Sequence, residues 1–275
     1  MLNQEYLTLM ESVSGFAKKA GLNTDNLYSD TYEPKPSGQE KWNLSVSWKT
    51  LLGNSCILYS SKDELKPDFD NRLYAQVITD SKEQIRAYEK KAQEKGAEYF
   101  SKKVVALAGV EPSPEFLALS TVEQVEYALH EAFHNTLKTV SEKETPHLPW
   151  DDEEAAALVV GYIGAIHFFK GTELEDAAIA HWQKYLGLAS SVNRLYKELD
   201  ETLGFGFRVD EHRHQMSQER ILQERDEVLE RARQELGDKL GGPINNAFFV
   251  YWHYFYGDME KMYGKVKEME NLETL

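Results

Sequence analysis

The residues that could carry chemistry lie in one short run, His130-Glu131-Ala132-Phe133-His134. On a helix, His130 and His134 are one turn apart on the same face, so that two imidazole nitrogens can bind one cation. Glu131 is rotated by about 100° from His130. Its carboxylate would lie beside the cation, where it can accept a proton from an activated water molecule. The motif therefore predicts metal-assisted hydrolysis, with Glu131 as the general base.

A helix over residues 120–140 is predicted to position this motif. Ser120 and Glu123 have the spacing of a capping box, in which each side chain bonds the other residue's backbone amide. Apolar or small side chains recur at helical spacing and predict a buried stripe: Val125, Leu129, Ala132, Phe133, Thr136 and Val140. An HExxH match also arises by chance, and histidines four apart are often ordinary surface or core residues. The cap and the stripe favour the metal interpretation.

Glu154 is the predicted third ligand, because a catalytic zinc site needs three protein ligands and one position open for water. The intervening residues 141–150 contain two prolines and are typical of a helix–helix connection. Residues 151–154 are all acidic and begin a second helix, whose small residues would allow close packing on the first. Two alternatives stay open: Glu153 could be the ligand, or the acidic run could only cap its helix.

The same segments extend into a longer pattern. His130-Glu-Ala-Phe-His134 is followed by Glu154-Ala-Ala-Ala157-Leu-Val-Val160-Gly161, and Ile244-Asn245-Asn246-Ala247 comes near the carboxyl end. Over roughly the second half of the chain, this pattern resembles the bacterial predicted aminopeptidases of the gluzincin class. Their Asn-Glu-x-x-Ala-x-x-Val-Gly helix would place the third ligand at Glu154, with Glu153 where asparagine usually stands. The resemblance implies a zincin-like fold, bound Zn²⁺ and hydrolysis of a peptide or amide bond, with cleavage from the amino end.

Peptide hydrolysis also requires a hydrogen-bond donor for the oxyanion that forms during attack on the carbonyl. In zinc peptidases of this type a Tyr or His beyond the third ligand usually supplies it, and the candidates here are Tyr251, His253, Tyr254 and Tyr256. An ungapped match to the family places Tyr256 at one of its paired tyrosines. The resemblance therefore favours Tyr256, with His253 as the alternative. Asn245 and Asn246 would either cap the last helix or line the site.

Charge and composition narrow the class of partner. A formal net charge of −15 argues against nucleic acid and against an anionic membrane surface. The single cysteine, Cys56, is consistent with a reducing compartment. The longest apolar stretch is shorter than the ~20 residues that span a bilayer, and no signal peptide is visible. We therefore expect a cytoplasmic protein that acts on a peptide or small amide substrate, without nucleic-acid or membrane partners. The oligomeric state is not predicted.

The hydrophobic pattern predicts an α+β fold that is predominantly helical, with a small N-terminal sheet. Helices are expected over residues 3–20 and 81–101, and strands over residues 43–51, 56–59, 73–78 and 103–110. The remainder is nearly all helical, including residues 172–203 and a charged helix over residues 210–236. This division predicts an N-terminal subdomain (1–112) whose sheet faces the substrate, and a helical zinc-binding subdomain (113–275), integrated into one unit.

Two other functions stay open. The chain could be a zinc hydrolase that acts on a non-peptide amide, or a non-catalytic helical scaffold that retains the motif for structure. The remaining histidines are not predicted ligands. His181 is interpreted as a core or surface residue, and His212 and His214 are two apart, so that they cannot share a helix face.

Overall fold

The computed structural model describes residues 4–25, 27, 42–49, 52, 57–59, 74–79, 81–103, 112–141, 150–204 and 217–268. The helices are α1 (Gln4–Lys19), α2 (Lys82–Glu94), α3 (Pro114–Leu117), α4 (Thr121–Ser141), α5 (Trp150–Phe168), α6 (Glu175–Leu203), α7 (Gln218–Leu236), α8 (Asn246–Tyr256) and α9 (Met259–Glu268). The strands are β1 (Trp42–Trp48), β2 (Ile57–Tyr59), β3 (Tyr74–Thr79) and β4 (Ala97–Lys103). The predominantly helical α+β prediction is confirmed. Cys56, the expected strand beyond Lys103, and His212 and His214 lie outside the described residues.

The chain divides into two compact units, and neither is a continuous stretch of sequence. The first comprises residues 1–37, 105–187 and 258–275, and the second comprises residues 38–104 and 188–257. This grouping differs from the consecutive division at residue 112 expected from the sequence. The reason is that α1 packs on the HExxH helix α4 in the first unit, whereas α8 packs on the strands of the second. Helix α6 contributes residues to both units.

Helices α4 and α5 form the centre of the first unit, with α1 packed on α4 and α9 packed on α5. The predicted capping box of α4 is confirmed. The Glu123 amide donates to Ser120 Oγ at 3.3 Å, and the Ser120 amide donates to Glu123 Oε2 at 2.9 Å. Of the predicted apolar stripe, Val125, Leu129 and Ala132 are buried. The cap therefore fixes where α4 begins, and the stripe fixes which face turns inward.

Close packing of α5 on α4 depends on glycine. A Cβ atom at Gly161 would lie 2.7 Å from the Glu126 carbonyl oxygen and 3.4 Å from His130 Cβ. At Gly164 it would lie 2.7 Å from Leu129 Cδ1. Because real Cβ contacts are not this short, only glycine allows the two helix backbones to approach so closely. This approach brings the first turn of α5 beside the HExxH motif.

The carboxyl-terminal half of α4 is fixed by the segment that follows α1. The Asn23 amide donates to Thr136 Oγ1 at 2.7 Å, and its side chain donates to Thr139 Oγ1 at 2.8 Å. The Asn135 side chain donates to the Asp25 carbonyl at 3.1 Å. These contacts attach α4 to the segment that follows α1.

In the described part of the chain, no helix is both long and apolar enough to cross a membrane.

The second unit contains a mixed sheet, which in the described residues has the order β2-β3-β1-β4. β1 pairs antiparallel with β3 and β4, and β2 pairs parallel with β3. One face packs on α2 through Leu44, Val46 and Ile85, and the other packs on α8 through Phe100 and Phe248.

One sequence prediction in this unit was wrong. Residues 97–101 were expected to continue the helix that begins near residue 81, but they belong to β4. Gly96 has a φ of 74°, a left-handed conformation that ends α2. Beyond it, Ala97 and Phe100 become buried while the strand pairs along β1. Pairing with a distant strand therefore outweighs the local helical tendency of this charged segment.

Candidate metal centre

The three predicted ligands come together in the first unit. Helix α4 supplies His130 and His134, whose Nε2 atoms are 3.1 Å apart. Glu154, in the first turn of α5, places Oε2 3.5 Å from His130 Nε2 and Oε1 3.5 Å from His134 Nε2. Each residue thus offers one ligand atom, and all three lie within 4.8 Å of one another. We call this group the candidate metal site.

The separations fit a single small cation. Zinc bonds of about 2.0–2.2 Å in a tetrahedral arrangement place neighbouring ligand atoms about 3.3–3.6 Å apart. The two imidazole–carboxylate distances lie in that range, and the distance between the Nε2 atoms is slightly shorter. Two imidazoles and one carboxylate are a known ligand set for zinc, and they also suit other divalent transition metals. The residues present are therefore compatible with zinc.

The charges within the candidate metal site are unevenly shared. Burial, together with the positive charge of His134, lowers the pKa of His130 to about 4. Burial acts in the same direction on His134, but its hydrogen bond to Glu153 and the nearby negative charge of Glu154 outweigh it and raise the pKa of His134 to about 10. The pKa of Glu154 lies below its ordinary value despite burial, because both imidazoles stabilise its charge. A single positive charge thus lies among carboxylates, where a divalent cation would replace it.

Glu153 contacts the same histidine from the opposite side. Its Oε1 atom lies 2.8 Å from His134 Nδ1, whereas Glu154 approaches Nε2. The group of side chains that could hold an ion contains Glu154 and not Glu153. Of the two glutamates that the sequence left open as the third ligand, the geometry therefore selects Glu154.

Glu131 lies on α4 between the two histidines and is 8% exposed. Its negative charge contributes to the raised pKa of His134, so the carboxylate lies close enough to act on that imidazole. A carboxylate beside the ligands is what a general base for hydrolysis requires. Its role as the base stays a prediction.

His253 and Tyr256, the predicted oxyanion donors, belong to the second unit. The His253 ring stacks on Tyr196 with ring centres 3.7 Å apart, and its Nδ1 lies 3.1 Å from Asn193 Oδ1. Tyr256 is buried and its ring stacks on Trp252. Their proposed contact with substrate stays a prediction.

The two asparagines near residue 245 have structural contacts. Asn245 caps α8, since its side chain accepts a hydrogen bond from the Phe248 amide at 2.9 Å. Asn246 is buried, accepts from Arg225 Nε at 3.0 Å and donates to the Lys49 carbonyl at 3.2 Å. The capping interpretation is therefore confirmed for Asn245. Arg225, which belongs to the predicted charged helix, is itself buried.

A second histidine–carboxylate group joins α4 to His181 of α6, and the sequence did not predict it. His181 Nδ1 lies 2.8 and 2.7 Å from the two carboxylate oxygens of Glu126, and its Nε2 lies 3.7 Å from Glu123 Oε1. Burial raises the pKa of Glu126 above its ordinary value, although the hydrogen bond with His181 acts in the opposite direction. We call Glu123, Glu126 and His181 the His181 cluster. One signal was available: Glu126 is one turn before His130 on the same face of α4.

No protein-family model, curated protein or solved structure matches this chain. The functional hypothesis is therefore supported by two observations, the motifs of the sequence and the convergence of His130, His134 and Glu154.

Proposed function

We propose that this chain is a zinc-dependent hydrolase of peptide or amide bonds with a zincin-like fold. The observation that carries the proposal is the convergence of two imidazoles and one carboxylate, at separations suited to one cation, beside the Glu131 carboxylate. The predominantly helical α+β architecture is compatible with this class.

In this proposal, His130, His134 and Glu154 hold Zn²⁺. When bound in such a site, zinc lowers the pKa of a water molecule and polarises the substrate carbonyl. Glu131 accepts the proton of the attacking water and later donates it to the leaving amine. Because Glu131 and the ligands are largely buried, their charges act in a medium of lower polarity than bulk water.

The amino-end specificity implied by the resemblance would need a carboxylate that can pair with a free α-amine. Two members of the acidic run at the start of α5 are engaged elsewhere. Asp152 accepts a hydrogen bond from Lys261 at 3.0 Å, and Glu153 bonds to His134. The substrate is therefore proposed only as a peptide or small amide. Reporters that carry a blocked or a free amino end, tested beside non-peptide amides, would distinguish the classes.

The decisive experiment is Glu131→Gln, which removes the base and leaves all three ligands in place. We expect zinc content equal to that of the wild type and turnover lower by about 10²–10⁴-fold, the contribution typical of general-base catalysis. Metal analysis and a peptide-reporter assay measure the two quantities. Glu123→Gln is the matched control, because glutamine also completes a capping box, and its turnover should stay near the wild-type value.

Two results would contradict the proposal. Unchanged turnover in Glu131→Gln would show that another group is the base. Less than about half an equivalent of zinc in freshly purified protein, together with melting that chelation does not alter, would favour the scaffold alternative.

A further inference from the structure

The two consecutive glutamates at the start of α5 contact opposite nitrogens of one imidazole. Glu154 lies 3.5 Å from His134 Nε2, and Glu153 lies 2.8 Å from His134 Nδ1. The second distance is that of a hydrogen bond between a charged donor and a carboxylate. Both side chains of the Glu153–His134 pair are mostly buried. The contact is thus shielded from water and is stronger than an exposed ion pair.

We propose that Glu153 is a positioning residue that accepts the Nδ1–H hydrogen bond of His134 and so directs Nε2 toward the metal. This inference deepens the proposed function and rests on its metal site. An imidazole has two nitrogens, and the one that donates a hydrogen bond leaves the other with its lone pair free for a cation. Glu153 therefore selects which nitrogen of His134 is the ligand and fixes the plane of the ring.

The other ligand histidine has no second carboxylate behind it. His130 Nδ1 is buried and has no hydrogen-bond partner among the described side chains. The Ala157 backbone is close enough to raise the pKa of His130, and the Cβ position at Gly161 is 3.4 Å from His130 Cβ. Among the ligand imidazoles, His134 is thus the one held by a second carboxylate, and the metal affinity should depend on Glu153.

The residue before Glu153 offers a control. Asp152 accepts a hydrogen bond from Lys261 of α9 at 3.0 Å, and the Lys261 side chain is half exposed to solvent. An exposed ion pair of this kind contributes little to stability. Asp152 is thus an acidic side chain of the same turn whose described ion pair is with lysine and not with a ligand histidine.

The charge of Glu153 can be separated from its hydrogen bond. Glutamine at residue 153 keeps the side-chain length and an acceptor oxygen but removes the negative charge, and alanine removes both. A carboxylate behind a ligand histidine also makes the imidazole a stronger donor to the metal, which an amide does to a smaller extent. We therefore expect the affinity for metal to fall in the order wild type, Glu153→Gln, Glu153→Ala.

The test measures metal affinity and needs no substrate. Competition with a chromophoric chelator gives the Kd of Zn²⁺ and Co²⁺ for the wild type, Glu153→Gln, Glu153→Ala and the control Asp152→Asn. We expect the Kd of Glu153→Ala to rise by about 10–100-fold, that of Glu153→Gln to rise less, and that of Asp152→Asn to change by less than about threefold. At saturating Co²⁺ the visible absorption bands should keep their positions, because the three ligands are unchanged.

Several outcomes would overturn the inference. One is an equal Kd for Glu153→Ala and Asp152→Asn. Another is a shift of the Co²⁺ bands in both Glu153 variants, which would make Glu153 a ligand. A purely structural role would lower the melting temperature of the metal-free variants and leave the Kd unchanged. If the wild type binds metal tightly but hydrolyses no reporter, the proposed function fails while the role of Glu153 is still measured. If the wild type binds no metal, both fail.

Discussion

Two histidine–carboxylate groups include side chains of helix α4, and they are built differently. In the His181 cluster, Nδ1 lies 2.7 Å from the Glu126 carboxylate, which is the length of a direct hydrogen bond. In the candidate metal site, the imidazole–carboxylate distances are 3.5 Å, and both imidazoles turn the same nitrogen, Nε2, toward one point. The first group is already closed by its own hydrogen bonds. The second has a spacing that suits three ligands around one cation.

The difference teaches that residue type alone does not identify a metal site. Both groups contain histidine and glutamate, both are half-buried or buried, and both bridge α4 to a neighbouring helix. A contact of 2.7 Å leaves no room for an ion between the two atoms, since two metal–ligand bonds of about 2 Å require a wider separation. We therefore interpret the His181 cluster as a structural hydrogen-bonded pair and the candidate metal site as the group that could hold an ion.

The largest effect should come from removing a histidine of each group. His134→Ala removes a ligand and should weaken zinc binding by more than the ~10–100-fold typical of residues outside the ligand shell. His181→Ala should leave the Kd for zinc within a few-fold of the wild-type value. It should instead lower the free energy of unfolding by on the order of 3 kcal/mol, because buried Glu126 loses its partner.

Thermal melting without zinc compares the stability of the variants with that of the wild type. The shift in melting temperature on adding zinc shows which variants still bind it. Zinc should raise the melting temperature of the wild type and of His181→Ala, but not that of His134→Ala. If His181→Ala folds too poorly to be measured, His181→Gln keeps a hydrogen-bond donor for Glu126 and replaces it. Loss of zinc binding in either His181 variant would contradict the distinction between the two groups.

A second prediction concerns the glycine that lies between the groups. Gly161→Ala places a Cβ atom 2.7 Å from the Glu126 carbonyl and 3.4 Å from His130 Cβ, so α5 must move away from α4. We expect a loss of about 1–2 kcal/mol in the free energy of unfolding, since overpacking outweighs the helical preference of alanine. Zinc affinity should fall as well, because Glu154 moves with α5.

Gly187→Ala on α6 is the matched control for this prediction. No atom lies within 4 Å of the Cβ position at this helical glycine. Alanine there should therefore stabilise the protein by about 0.5–1 kcal/mol through its helix propensity. Chemical denaturation of both variants, with zinc binding measured in parallel, gives the comparison. A stabilised Gly161→Ala would show that the helices do not need this close approach.

The sequence predicted the candidate metal site well because its determinants are local. The HExxH spacing places His130 and His134 on one face whatever the fold, and the capping box fixes where their helix begins. Glu154 followed from its distance along the chain and from the resemblance. The role of Glu153 could not be predicted, because adjacent glutamates differ only in which nitrogen of His134 they approach. That depends on the rotation of α5 against α4.

Contacts between residues far apart in the sequence explain why the His181 cluster was not predicted and why β4 was predicted as helix. His181 and Glu126 are 55 residues apart, and only the packing of α6 on α4 brings them together. Strand β4 also depends on a distant partner. Residues 97–103 have a charged sequence that forms a strand because it pairs with β1. Local propensity is a weak guide where a distant partner decides the structure.

The smallest expected effect concerns the pH dependence of the His181 cluster. Burial raises the pKa of Glu126 above its ordinary value, although its hydrogen bond with His181 acts in the opposite direction. A carboxyl group whose pKa is higher in the folded than in the unfolded protein favours folding while it is protonated. That contribution is lost as the pH rises through the folded-state pKa. The wild type should therefore lose stability relative to Glu126→Gln between pH 4 and pH 7, because glutamine cannot ionise.

Urea denaturation of both proteins at the two pH values, in the presence of a chelator, measures this difference. Glu94→Gln, which replaces an exposed glutamate of α2, is the reference for a solvated carboxylate and should change stability by less than about 0.5 kcal/mol at either pH. A difference between Glu126→Gln and the wild type that stays constant, or that reverses with rising pH, would mean that the hydrogen bond with His181 outweighs the cost of burial. The His181 cluster would then stabilise the fold most at neutral pH. It would differ from the candidate metal site only in the distances between its imidazole and carboxylate atoms.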